Sequence, residues 1–141
     1  MKNNKAFTLI EILIVVSIIG LLSAGTLLGL GTFRQAGRDT RRMTDLRQIQ
    51  NALELYYQKN GSYPAAPLSD STFSGIGGII AVPRDPSTNA IYGYSVSNCQ
   101  SGASYVVYAN LEDANNKALT DMGTICNITC TKATKNFCIS L

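Results

Sequence analysis

Hydrophobic positions form one unbroken block early in the chain and then thin out into a regular period. Residues 7–33, FTLIEILIVVSIIGLLSAGTLLGLGTF, hold one charged side chain, Glu11. A bilayer is crossed by ~20 apolar helical residues, so this block predicts a transmembrane helix. Beyond Phe33 the apolar residues recur as Leu46, Ile49, Leu53 and Tyr56 or Tyr57, leaving Arg47, Gln48 and Glu54 on other faces. That spacing predicts an amphipathic helix with one face to bury. No proline interrupts Phe7 to Lys59, while Asn60-Gly61 followed by Pro64 marks a stop. We therefore expect one long helix, with 7–33 as its membrane half and 34–60 as its amphipathic continuation. Gly25, Gly29 and Gly31 are its points of bending, and Gly25-x-x-x-Gly29 also suits close helix packing. Arg41 and Asp45 stand four apart, the spacing of a weak helical ion pair.

The pattern after Gly61 is shorter in range. Residues 61–90 are rich in Gly, Ser and Pro and predict a connecting loop, with one apolar piece at Ile76–Val82. Ile91–Val96 and Ser104–Leu111 predict strands. In the second, Tyr105 and Val107 share one face, and Val106 and Tyr108 the other. EDANNKALTD is a polar loop, and the tail from about Thr124 is short strand or loop. The fold class is α+β: a long N-terminal helix packed on a small antiparallel sheet, with 61–141 as a β-rich domain.

Composition narrows the function. The formal net charge of +3 includes Lys2 and Lys5, which precede the apolar block. From Lys59 onward five basic residues face five acidic ones, so this domain offers no broad basic surface for nucleic acid. No histidine exists, which removes Ser-His and Cys-His pairs and histidine metal sites. GIGG at Gly75–Gly78 lacks the lysine and the strand–helix setting of a phosphate loop. We expect no catalytic residues. The four cysteines, Cys99, Cys126, Cys130 and Cys138, predict two disulfides and an oxidising compartment. Three pairings are open; Cys99–Cys126 with Cys130–Cys138 is the one we carry forward. Cys126 and Cys130 are spaced C-x3-C, unlike the usual zinc spacing, and no metal ligands are assigned.

A charge inside a membrane segment is costly and marks function, so Glu11 needs a partner. The N-terminus suggests one. MKNNKA is short, polar and basic, and small Ala6 precedes the apolar block rather than following it, as in a secretory signal. KAFTLIEILIVVSIIGLL resembles the processing site and N-terminal helix of type IV pilins and of the pseudopilins of type II secretion. The resemblance is close over residues 2–64 and architectural beyond. It implies that a membrane peptidase removes the leader 1–6 between Ala6 and Phe7 and N-methylates Phe7. Ala6 stands where the family usually has glycine. The Glu11 carboxylate of one subunit would then neutralise the Phe7 amine of its neighbour, setting register in a helical filament. The simpler reading places Glu11 near a helix N-terminus, where the macrodipole favours negative charge.

The same resemblance implies a single-pass inner-membrane precursor with a cytoplasmic leader and an extracytoplasmic C-terminal domain. Its partners would be copies of itself, membrane lipid, the processing peptidase and methyltransferase, and an inner-membrane assembly platform. Arg34, Arg38, Arg41, Arg42 and Arg47 argue the other way, because a plain count would keep that side in the cytoplasm. The cysteines and the cleavage motif override it. The helix-breaking proline common in the family's membrane half is absent, and the glycines stand in for it. Two functional classes follow: a subunit of an extracellular pilus, or the major pseudopilin of a periplasmic secretion piston. A membrane-anchored domain that never assembles is a third. The disulfide-rich tail is similar to pilins, whereas GSYP and the DP turn are similar to pseudopilins. In the latter a late acidic loop binds calcium. Here Glu112, Asp113 and Asp121 would be its ligands, but their spacing matches no calcium loop, and we expect no cofactor.

Overall fold

A computed structural model describes residues 7–27, 30–73, 81–96, 99 and 105–141, with the side chains of 25–27 not described. The chain divides into two compact units, the first ending at Arg34 and the second running from Gln35 to Leu141.

The first unit holds α1, Leu9–Leu27. Its described side chains, from Leu9 to Ala24, are all exposed, although almost all are apolar. Ser17 and Ser23 donate their hydroxyls to Leu13 O and Ile19 O one turn back, which hides their polarity within the helix. Residues 28–29 lie outside the described residues, and the expected bending at Gly25 and Gly29 falls there or beside it. The expected transmembrane span of 7–33 includes these residues. Among the described residues, no helix is long and apolar enough to cross a membrane.

The second unit is built on α2, Leu30–Asn60, from Gln35 onward. Its buried residues are Asp39, Arg42, Leu46, Ile49, Ala52 and Leu53, one stripe at helical spacing. Leu46, Ile49 and Leu53 are buried as expected, whereas Tyr56 is half-buried and Tyr57 exposed; the first turns of the stripe are charged. Gly61 ends the helix: its φ of 72° is left-handed, and its N–H donates to Tyr57 O at 2.7 Å.

Three antiparallel strands cover the stripe. They are β1 (Gly93–Ser95), β2 (Val106–Asn110) and β5 (Asn136–Ser140), in the order β1-β2-β5. Val107 pairs with Tyr94 on one side and Ile139 on the other. Strand alternation divides the side chains into two buried layers. Tyr105, just before β2, and Val107 and Ala109 of β2, with Phe137 and Ile139 of β5, pack with Leu46, Ile49, Ala52 and Leu53 of α2. Leu68, Phe73, Val82 and Tyr92 complete that core. Val106 and Tyr108 point the other way, into a smaller cluster with Ile125, Cys126, Cys130 and Cys138. The expected division of faces in this strand thus holds, and both faces are covered.

The second layer comes from the tail, which is more ordered than its sequence suggests. β3 (Gly123–Ile125) and β4 (Ile128–Cys130) form a separate hairpin. Cys99 is bonded to Cys126, and Cys130 to Cys138, tying the hairpin to β5 and to the segment after β1. Gly93 is required by its cross-strand neighbour: a Cβ there would meet the ring of Tyr108. The apolar piece at Ile76–Val82 lies outside the described residues except for its end, where Val82 is buried.

Leu53 is fully buried between helix and sheet. Leu53→Ala is expected to cost about 2–5 kcal/mol in equilibrium denaturation, the loss typical of a truncated core leucine. Replacing Cys130 and Cys138 together by serine is expected to cost about 2–4 kcal/mol by the same measurement, because the unfolded chain regains the entropy of an open loop.

Candidate functional site

Thr8 and Glu11 begin α1 as a reciprocal cap. The Thr8 backbone N–H and hydroxyl donate to Glu11 Oε2 at 2.9 and 2.8 Å, and the Glu11 N–H donates to Thr8 Oγ1 at 3.4 Å. This is the T-x-x-E capping box, which satisfies two N–H groups that a helix start leaves open. The spacing is legible in TLIE. Glu11 therefore has a partner within its own chain. Phe7, Glu11, Ile12, Ile14 and Val15 line one shallow surface depression, and Phe7, Leu9, Ile12, Leu13 and Val16 line another with Thr8 and Ser17. The carboxylate is thus set in an exposed apolar surface beside Phe7. Ala6, the residue before the expected cut, lies outside the described residues.

A second concentration of charge lies in the other unit. Arg42 is 3 % exposed, and Asp39, one turn earlier, is fully buried. The Arg42 guanidinium donates Nη1 to Asp39 Oδ1 at 2.6 Å, and Nε and Nη2 to the two Asp85 oxygens at 2.6 and 3.2 Å. Nη2 also reaches Ser87 Oγ at 3.0 Å, and Nη1 lies 2.9 Å from Glu112 Oε1. Arg38 adds a two-pronged ion pair to Glu112. Asp39 also accepts the backbone N–H groups of Glu112 and Asp113 at 2.9 and 3.0 Å. The network thereby pins the loops around 85–88 and 111–113 to α2. Its acceptors are placed by local turns: Asp85 Oδ1 takes the N–H groups of Ser87 and Thr88, as an aspartate in a turn commonly does. Further along α2, Asp45 accepts from Tyr92 OH at 2.7 Å and Glu54 from Tyr105 OH at 2.8 Å. Burial and the neighbouring carboxylates hold both phenols well above their usual range.

Arg38 and Arg42, counted as cytoplasmic signals, are engaged by Asp39, Asp85 and Glu112. Arg41 lies 3.9 Å from Asp45, the weak pair its spacing suggested. Glu112, Asp113 and Asp121, the calcium candidates, have separate duties. Glu112 serves the arginines, Asp113 Oδ1 takes Asn115 N–H, and Asp121 Oδ1 takes Lys132 N–H at 2.8 Å. Among the described residues no three potential metal ligands gather. The GIGG loop at 75–78 lies outside the described residues.

The arginines act on the acids they touch. Glu112 is lowered to about 2, chiefly by the hydrogen bond from Arg38, with Ser87 and Arg42 adding. Asp85 is held further below the carboxylate range, chiefly by Arg42. Depressed carboxylates bind fewer protons than the unfolded chain does, so their stabilisation is full above their ordinary values of 3.8 and 4.5. It is lost as pH falls through the folded values. Denaturation midpoints are expected to drop steadily from about pH 5 to about pH 2, and Glu112→Gln to flatten that slope. Arg42→Met removes the direct ion-pair partner of the buried Asp39 and is expected to cost about 3–5 kcal/mol, read by thermal or chemical denaturation.

Residues 1–27 match the family described as the prokaryotic N-terminal methylation motif. The chain is similar to the type II secretion system core protein G of Vibrio cholerae serotype O1, 28% identical over 86 residues, covering 61% of this chain and 55% of that protein. The Escherichia coli protein of the same description is 28% identical over 90 residues, covering 64% and 58%. The type IV wide pilus major component PilA4 of Thermus thermophilus is 40% identical over 63 residues, covering 45% and 48%. The chain spans about half the length of these curated relatives. No solved structure matches it. The chain carries a prepilin-type N-terminal methylation motif, and its relatives are type II secretion protein G and a type IV pilus component.

Proposed function

We propose that this protein is a structural, pilin-like subunit of a type IV pilus or related filament, cut between Ala6 and Phe7, N-methylated, and assembled through α1. One observation carries the reading: an apolar helix whose described side chains are all exposed begins with a single carboxylate inside the methylation motif. Such a helix is unfavourable in water. It needs lipid before assembly and other copies of itself afterwards. The precursor is therefore a single-pass inner-membrane protein with its leader in the cytoplasm and residues 61–141 outside. In the filament, Glu11 exchanges its local partner Thr8 for the Phe7 amine of a neighbour, so that neither charge is buried alone. The partners are the prepilin peptidase and methyltransferase and an inner-membrane assembly platform. The protein itself catalyses nothing.

The alternative is the major pseudopilin of a type II secretion piston. It is favoured by the broader coverage of the secretion relatives, which extends past the helix. The two differ in where the filament ends. Electron microscopy of surface filaments, with mass spectrometry of their N-terminal peptide, separates them. Long filaments beginning at methylated Phe7 identify a pilus; a secretion defect on deletion without such filaments identifies the piston.

Glu11→Ala is expected to leave leader removal intact, as read by the N-terminal mass, and to abolish filaments. Filaments of that variant at wild-type yield would remove the pairing from the assembly mechanism.

A further inference from the structure

We propose that Asn127 is the acceptor of an N-linked glycan. The inference rests on the reading that residues 61–141 lie outside the cytoplasm. Asn127-Ile128-Thr129 has the asparagine, non-proline and hydroxyl order that oligosaccharide transfer requires. The structure presents this tripeptide as an acceptor. Thr124 pairs with Thr129 and Ile125 with Ile128, which leaves Cys126 and Asn127 as a two-residue hairpin tip. Their φ values of 49° and 65° are those of a type I′ turn. Asn127 and Thr129 are both exposed. Neither the Asn127 carboxamide nor the Thr129 hydroxyl has a hydrogen-bond partner among the described residues; at Thr129 the carbonyl is the group in use, accepting from Thr134 and Asn136.

The tip is held from behind, so the acceptor is accessible without unfolding. Cys126 is bonded to Cys99, Ser95 Oγ donates to Cys126 O at 3.0 Å, and Met122 N–H donates to Cys130 O at 2.9 Å. The chain has a second tripeptide of this type, Asn60-Gly61-Ser62, and it serves as an internal contrast. Asn60 closes the last turn of α2, and its Nδ2 is committed to Tyr56 O at 2.9 Å. The turn by itself does not demand the tripeptide. Glycine meets the backbone requirement at 127, and valine meets the strand requirement at 129.

The transfer is a substitution at the anomeric carbon of a sugar carried on a polyprenyl pyrophosphate. The Asn127 Nδ2 forms the new C–N bond. The bond from the anomeric carbon to the pyrophosphate oxygen breaks, and the lipid pyrophosphate leaves with the electron pair. The amide proton passes to a base of the transferase, and nothing is oxidised or reduced.

The test is peptide mass spectrometry of the full chain purified from its own host and digested with trypsin without reduction. Residues 118–132 form one tryptic peptide that holds Asn127, Cys126 and Cys130. The expected result is a gain of at least one sugar residue on this peptide. An amidase specific for the asparagine–glycan bond should remove it and leave an aspartate. Asn127→Gly and Thr129→Val should each abolish the gain, and Asn60→Gln should leave it unchanged. An unmodified peptide with Cys126 and Cys130 in disulfides overturns the glycan and leaves the export reading standing. An unmodified peptide with free thiols overturns both. A gain that survives Thr129→Val overturns asparagine-linked transfer.

Discussion

The distal unit is organised around one guanidinium. Arg42 meets carboxylates from α2, from the turn at 85 and from the loop at 112, which are far apart in sequence. A buried ion pair stabilises only when its remaining donors and acceptors are filled. Here Ser87, Arg38 and the backbone N–H groups of Glu112 and Asp113 fill them. Among the described residues no buried side-chain nitrogen or oxygen is left without a partner. The geometry therefore fixes where the two connecting loops cross α2, which non-directional apolar packing alone would leave loose.

With the loops pinned, the three-stranded sheet is covered on both faces. One face closes on the apolar stripe of α2. The other closes on a hairpin too small to bury a core of its own, and two disulfides do there what hydrophobic area cannot. Strand alternation carries this division: in β5, Phe137 and Ile139 join the helix layer while Cys138 joins the disulfide layer.

The N-terminal unit obeys a different constraint. Its described apolar side chains from Leu9 to Ala24 are all exposed, and its one carboxylate is held by the cap with Thr8. A helix of that kind is incomplete alone, which is why the functional reading turns on assembly rather than on a pocket. The distal unit, by contrast, leaves no buried side-chain polar atom unpaired among its described residues.

The sequence by itself determined the features that rest on local periodicity. These are the apolar block with Glu11, the stripe Leu46, Ile49 and Leu53, the helix stop at Gly61, and the two faces of Tyr105–Tyr108. Each follows from 3.6- or 2-residue spacing or from a residue's own φ preference. The capping box of Thr8 and Glu11 was equally local and lay within TLIE. Tertiary structure alone decided which charges are buried and which strands meet. Asp39 and Arg42 look like surface helix residues until loops more than 40 residues away supply their partners. β5 forms because β2 offers an open edge, and the Cys130–Cys138 disulfide ties the separate β3–β4 hairpin to β5. Long-range pairing leaves no period in a sequence, since it depends on which segments arrive side by side once the chain has folded.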